Sequence, residues 1–309
     1  MKREINLLMG LLVAAVLAFG PPAVADERVI AEKKVQDKGL VRNISWAAIA
    51  TADLGRAVAF YRDVLELDLE RFDAKALSAS FRLPSGQLLE LFDRSREDAA
   101  GLNSPIIGLG VDGADAAARR AGEAGARILG RHKPGQVKWV GFEDAEGYPY
   151  AFVEAIPRIR RPYSFGTKKI RIGRIVWVGR EVSDLKRGAS FWNRVLGIEH
   201  WETRPPFWGV PKEQLKEVEA LPIIFWTLPE EDQFELVPNG FFTGKKGVVH
   251  PVIGFTLTPE DYDVAVEKLK ERSVRFASAD FDFYNLSWTM FHDPDGYVIE
   301  LYTMRNQVE

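Results

Sequence analysis

Asp53-Leu54-Gly55-Arg56-Ala57, continuing through Phe60-Tyr61-Arg62-Asp63-Val64-Leu65, is answered 131 residues later by Asp184-Leu185-Lys186-Arg187-Gly188 and Phe191-Trp192-Asn193-Arg194-Val195-Leu196. A second pair follows in the same order. Trp139 with Asp144-Ala145-Glu146-Gly147-Tyr148 returns as Trp288 with Asp293-Pro294-Asp295-Gly296-Tyr297, now 149 residues apart. The second copy therefore carries about 18 extra residues between its anchors. Repetition at a fixed offset sets the architecture before any single motif is read. The chain is a tandem of two related modules.

Working outward from the first anchor, Ile44 to Thr51 reads as a strand and Asp53 as the cap of the helix after it. Ala57, Phe60, Tyr61 and Val64 then fall at i, i+3, i+4 and i+7, one apolar stripe of a helix. Short strands are predicted at 79–83 and 88–92, with Pro84-Ser85-Gly86 as the turn between them. The order is β-α-β-β-β. It recurs from Ile106, where the helix carries a thin stripe of Ala114, Ala117, Ala118 and Ala121 and strands follow near 127–129, 137–143 and 148–154. A third unit opens at 171–178 and a fourth at 252–257. The fourth helix has the clearest start, with Thr258 as cap, Pro259 in the first turn and Asp261 three residues after the cap. Four such units predict an α+β fold of two modules, each a cup-shaped mixed sheet with helices outside. The expected limits are 44–156 and 171–304, with 26–43 as a leader and 157–170 as a linker.

Of the 309 residues, 46% are apolar and 28% charged, the balance of an ordinary globular protein. The first 25 residues differ. Lys2 and Arg3 precede an apolar run from Leu7 to Phe19, and Ala23-Val24-Ala25 closes it. A basic start, a short apolar core and an A-x-A ending predict a secretory signal peptide over 1–25. Thirteen apolar residues are too few to span a hydrocarbon core of about 30 Å, so stable membrane insertion after cleavage is not expected. There are no cysteines, which removes disulfides and thiolate ligands from consideration. A periplasmic or secreted location follows as an expectation. The net charge of −3 and the absence of a basic face argue against a nucleic-acid partner. Arg158, Arg160, Arg161, Lys168 and Lys169 stand among Pro157, Pro162 and Gly166 and read as a solvated linker.

The D-L-x-R-A-x-x-F-Y-x-x-V-L helix and the closing D-P-D-G-Y-V-I-E-L strand, recurring in order in both copies, resemble the vicinal oxygen chelate superfamily. That superfamily includes glyoxalase I, extradiol dioxygenases and bleomycin resistance proteins. The resemblance covers residues 44–303 and implies that paired β-α-β-β-β units curl into an open cup that holds the ligand. It also implies four strand positions that commonly carry a divalent metal on His, Gln or Glu. Carried onto this chain, those positions are Trp46, Glu90, Ile106 and Ala151 in the first module, and Trp177, Glu235, Val252 and Glu300 in the second. Indole and alkyl groups offer no lone pair to a metal, and such sites need three or four oxygen or nitrogen donors. No metal is expected in the first module.

In the second module Glu235 and Glu300 are the candidate catalytic residues. Alternation puts Glu300 on the face of Val298 and Tyr302, opposite Ile299 and Leu301. A carboxyl turned into an apolar cup is costly unless paired, hydrogen-bonded or protonated. The plainer alternative is that each acid only fixes packing through a nearby ring N–H or hydroxyl. His250, two residues before Val252, would complete a possible metal set with Glu235 and Glu300, although a His beside Pro251 also suits a strand entry.

The insertion around 201–221 brings Trp201, Phe207 and Trp208 among prolines, and together with Trp177, Trp226, Tyr284 and Trp288 these are the candidate ligand-binding rings. The leading expectation is a protein binding a small organic molecule, aromatic or apolar, in the second module without a full metal site and with no other cofactor. The alternative is a divalent-metal-dependent lyase, isomerase or dioxygenase using Glu235, Glu300 and His250. Metal-free proton transfer by the Glu235/Glu300 pair is a third reading, so catalysis itself stays open. A monomer with paired modules and a homodimer are both compatible with the repeat.

Overall fold

The computed structural model describes residues 41–96, 105–132, 139–156, 159, 164–168, 170–203, 223–239, 251–277, 281–283 and 286–304. The predicted signal segment, and the predicted leader as far as residue 40, lie outside them, whereas residues 41–43 of that leader belong to the first strand. The first module contains β1 (Val41–Thr51), β2 (Leu69–Asp73), β3 (Ser78–Arg82), β4 (Leu88–Asp93), β5 (Ile106–Val111), β6 (Arg127–His132), β7 (Trp139–Glu143) and β8 (Pro149–Glu154). The second contains β9 (Arg174–Val182), β10 (Trp201–Thr203), β11 (Ile223–Thr227), β12 (Gln233–Pro238), β13 (Val252–Thr256), β14 (Phe281–Phe283), β15 (Leu286–His292) and β16 (Val298–Met304). Each set forms one eight-stranded mixed sheet, with orders β2-β3-β4-β1-β5-β8-β7-β6 and β10-β11-β12-β9-β13-β16-β15-β14. The two orders superpose position for position, as the repeat requires.

The helices form where the sequence caps them. Helix α1 (Leu54–Ala59), continued by a π-helical turn at Phe60–Val64, starts at Asp53, whose side chain accepts from Arg56 N at 3.0 Å. Helix α2 spans Ala114–Glu123. Helix α3 (Leu185–Leu196) starts at Asp184, which accepts from Arg187 N at 2.9 Å, and α4 (Pro259–Glu271) starts at Thr258, which accepts from Asp261 N at 3.3 Å. These carboxylate and hydroxyl caps satisfy N–H groups that no helical carbonyl reaches. Helix α3 ends in Gly197 at φ 73°, while the corresponding position of the first copy is Glu66 at φ 56°. The left-handed conformation costs a side-chain-bearing residue about 1 kcal/mol. Glu66 offsets it by accepting from Lys268 Nζ at 2.9 Å and from Ile170 N at 3.2 Å.

One continuous apolar core runs through both modules. Trp192 of α3 packs edge-on against Tyr150 of β8, 4.8 Å between ring centroids, and lies 4.3 Å from Phe234 of β12. Phe60, after α1, sits 6.3 Å from Phe291 of β15, while its neighbour Tyr61 lies 6.0 Å from Phe81 of β3. These helices are therefore shared between the two sheets, outside each cup but inside the molecule, and the concave faces turn away from the common core.

The repeated motifs meet at this junction. In the first contact Ala52 N donates to Asp295 Oδ1 at 2.9 Å and Arg56 Nη2 to Pro294 O at 3.0 Å. In the second, Ser183 N donates to Glu146 Oε1 at 2.8 Å and Arg187 Nη2 to Ala145 O at 3.2 Å. Each helix start grips the closing turn of the other module, so the recurring D-L-x-R and D-x-x-G-Y segments hold the tandem together. A second pseudo-symmetric pair ties the central strands. Gln87 Oε1 accepts from Ile175 N at 2.8 Å, and Asp232 Oδ2 accepts from Ile44 N at 2.7 Å.

Three expectations are adjusted. The third unit's strand starts at Arg174 rather than 171 and runs on to Val182, because Gly173 N instead bonds Thr256 O and turns the chain into the sheet. The beginning of the ring-rich insertion is strand rather than loop, since β10 pairs with β11 through Trp201↔Phe225. Lys168 of the predicted solvated linker is paired with Asp68 at 2.6 Å.

Candidate functional site

Strand alternation places all eight slot residues on concave faces, but the two cups differ. In the first, Trp46 is completely buried and its Nε1 donates to Glu90 Oε2 at 2.7 Å. Trp139 lies 5.9 Å from Trp46, and Ala48, Leu88, Phe92, Ile106, Ala151 and Val153 close around the two rings. Gly108 is needed under Trp46: a Cβ there would stand 2.7 Å from the indole Cε3. The first cup is filled by its own side chains.

The second cup repeats the indole–carboxyl bond, with Trp177 donating to Glu235 over Gly254, whose Cβ would stand 2.8 Å from the indole. Here, however, Trp177 and Tyr302 are only half-buried, packed against Val252, Trp288, Met290 and Val298. Glu300 takes the slot held by Ala151 in the first copy. It sits between Gly254 and Met290 in register. Glu235 pairs with Gly179 on one side and Phe225 on the other. Two strands, β9 and β13, separate β12 from β16. On those strands Gly179 neighbours Glu235 and Gly254 neighbours Glu300, with the Trp177 indole lying over Gly254.

The electrostatics follow from burial. Glu235 is 5% exposed and Glu300 7% exposed. Removal from water pushes the Glu235 carboxyl up to about 8, against a smaller opposing effect of the Trp177 N–H. Glu300 is held well above the usual carboxylate range by burial and then by the neighbouring Glu235 charge. Its carboxyl makes no hydrogen bond and no ion pair among the described residues. Tyr302 is raised to about 12, by burial and then by Glu300, with Arg174 acting in the opposite sense. A pair of carboxyls in this environment retains protons at neutral pH, so each can donate a hydrogen bond or yield a proton.

The other sequence candidates separate clearly. Trp288 lies in the cup, opposite Tyr302. Trp226 does not, and the expectation that it contacts ligand is corrected. It pairs with Phe234, faces the helices with no exposure, and donates to Asn193 Oδ1 at 2.9 Å. Its neighbour Phe225 is the cup-facing ring of β11, because successive strand residues point to opposite faces. Trp201 lies on β10, and its side chain, with Phe207, Trp208, Tyr284 and His250, lies outside the described residues. His292 Nδ1 is 3.0 Å from Gly296 O, beside a groove of about 530 Å³ between the modules rather than in the cup. Sequence reasoning missed Tyr302, Phe225 and Met290 as lining residues. The signal was present in the alternation of β11, β15 and β16.

A divalent metal is the group this architecture implies, and the donors among the described residues are too few for one, His250 of the alternative set lying outside them. Among the described residues no cluster of three or more His, Cys, Asp or Glu side chains occurs. The slots supply two carboxyls, one engaged by an indole N–H, with Val252 and Trp177 in the remaining positions. That falls short of the three or four donors a stable site requires.

The family model described as Glyoxalase/Bleomycin resistance protein/Dioxygenase superfamily matches residues 43–152 and 174–301. No curated protein matches the chain in sequence. Among solved structures, the chain is similar to the Mn(II)-bound glyoxalase of Novosphingobium aromaticivorans, with 15% identity and a TM-score of 0.61 over 88% of this chain and 84% of that one. It is also similar to an extradiol ring-cleaving dioxygenase of B. fuscum, with 18% identity and a TM-score of 0.61 over 87% and 73%. A halotolerant catechol dioxygenase gives 15% identity and a TM-score of 0.62 over 88% and 90%. At these identities the likeness is one of fold.

Proposed function

The chain belongs to the Glyoxalase/Bleomycin resistance protein/Dioxygenase superfamily, and on that footing we propose that its second module binds a small organic molecule in the cup without a full metal site. The observation carrying this reading is Glu300. A buried carboxyl without a hydrogen-bond partner among the described residues is destabilising by roughly 1–3 kcal/mol or more, and a ligand group can recover that energy. The half-buried rings of Trp177 and Tyr302 leave the cup reachable, in contrast to the sealed first cup. Flat or apolar molecules suit walls of indole, phenol and thioether. The first module acts as the structural partner that positions β9 through Gln87. Export to the periplasm or medium, with residues 1–25 removed and the paired modules acting as one monomer, belongs to the same proposal.

Native mass spectrometry of the exported protein, followed by titration with a panel of small aromatics under tryptophan fluorescence, tests it. A co-purified molecule, or saturable binding weakened in Glu300→Gln and unchanged in Glu90→Gln, is the expected result. A panel without binding would refute the cup as a ligand site. Elemental analysis on the same sample addresses the metal: a stoichiometric divalent ion lost in Glu300→Gln would replace this reading with a metal-dependent one.

A further inference from the structure

The second cup combines two features that point to the charge of its occupant. Glu235 and Glu300 both turn into it, and among the described residues neither is paired with Lys, Arg or His. The rings around them, Trp177, Trp288, Phe225 and Tyr302, present π-electron density and carry no positive charge, and the Trp177 N–H is committed to Glu235. Among the described residues Arg174 reaches this region electrostatically and is felt at Tyr302. It is itself faced by the buried Asp232, with Nη1 3.8 Å from Oδ1. The acidic character of the cup is therefore not cancelled by its described surroundings.

The first cup serves as an internal control. It has the same indole–carboxyl bond, but Ala151 replaces the second acid, and packing rather than charge completes it.

We propose, resting on the reading of this cup as a ligand site, that its ligand is a small organic cation, an ammonium or amidinium carried on an apolar or aromatic body. The cationic head sits between Glu300 and Glu235, and the body lies against Trp177, Trp288 and Tyr302. Arrival of the cation draws the pair out of the protonated form held in the empty cup, the proton leaving to solvent; charge-assisted hydrogen bonds to Glu300 then supply direction, and the ring faces add cation–π attraction. An anionic or diolate ligand is disfavoured by the same pair.

The test uses matched probes on the full exported chain at pH 7.5: benzamidine against benzamide, and benzylamine against benzyl alcohol, by isothermal titration calorimetry. Each cation is expected to bind at least about 30-fold more tightly than its neutral isostere. Glu300→Gln should weaken the cations more than their neutral isosteres and so reduce that preference about tenfold or more, and Glu90→Gln should change neither. Equal or tighter binding of the neutral isosteres would overturn the cation assignment and leave the cup standing as a ligand site. Failure of all four probes to bind would remove the cup reading and this inference with it. Should Glu300→Gln fold poorly, the wild-type ratio within each matched pair still decides the outcome.

Discussion

Replacing Glu235 by Gln should flatten the pH dependence of stability, and the structure sets the size of the effect. The folded-state carboxyl titrates at about 8 against 4.5 for the free side chain. Between these values the unfolded chain has released the Glu235 proton while the folded chain keeps it. The unfolded state binds fewer protons, so stability falls as pH rises from 4.5 and levels off above 8. At about 1.36 kcal/mol per pH unit, the ascent from pH 4.5 to pH 7 removes about 3 kcal/mol through this one group. Gln keeps an oxygen to accept from Trp177 but has no proton to lose. Urea unfolding at half-unit steps from pH 4.5 to 8, followed by tryptophan fluorescence, should show Glu235→Gln losing about 4 kcal/mol less than wild type across that range. Parallel curves for the two proteins would show that Glu235 is ionised and solvated in the folded state, and the description of the cup would fail with it.

Trp226→Phe removes the 2.9 Å bond to Asn193 and part of a fully buried ring, so a loss of about 1–3 kcal/mol is expected in denaturant melts, with ligand affinity unchanged because the ring faces the helices. Gly108→Ala and Gly254→Ala both drive a methyl group to within 3 Å of an indole. In the sealed first cup the strain should cost about 3 kcal/mol with ligand binding retained. In the open second cup Trp177 can swing away, so stability should fall less, by about 1 kcal/mol, while probe binding is lost in calorimetry. Asp295→Ala deprives Ala52 N and the Thr51 hydroxyl of their acceptor at the module junction. A loss of about 2–3 kcal/mol and faster proteolysis between the modules are expected, whereas the more exposed Glu146→Ala should cost about 1 kcal/mol.

Much of this was legible along the chain because the determinants are local. The repeat offset gave two modules, and the Asp53 and Thr258 caps marked two helix starts within a residue. Period-two alternation put Glu300 with Val298 and Tyr302 on one face, where the structure has them. The same rule would have excluded Trp226 had it been applied to β11, since Phe225 is the residue opposite Glu235. That error came from reading ring content without register.

Tertiary structure decided what depends on contacts far apart in sequence. Glu235 and Glu300 are 65 residues apart on strands separated by β9 and β13, and only the curl of the sheet over Gly179 and Gly254 brings their charges within reach of one another. The role of the repeated helix starts and turns as clamps between modules was likewise invisible, because each half of the clamp lies in the opposite copy. The sequence fixes the direction in which each side chain leaves its strand, a property of one or two residues. Whether a cup closes on its own rings or stays open depends on how whole sheets bend and pack, and that is a property of the chain folded upon itself.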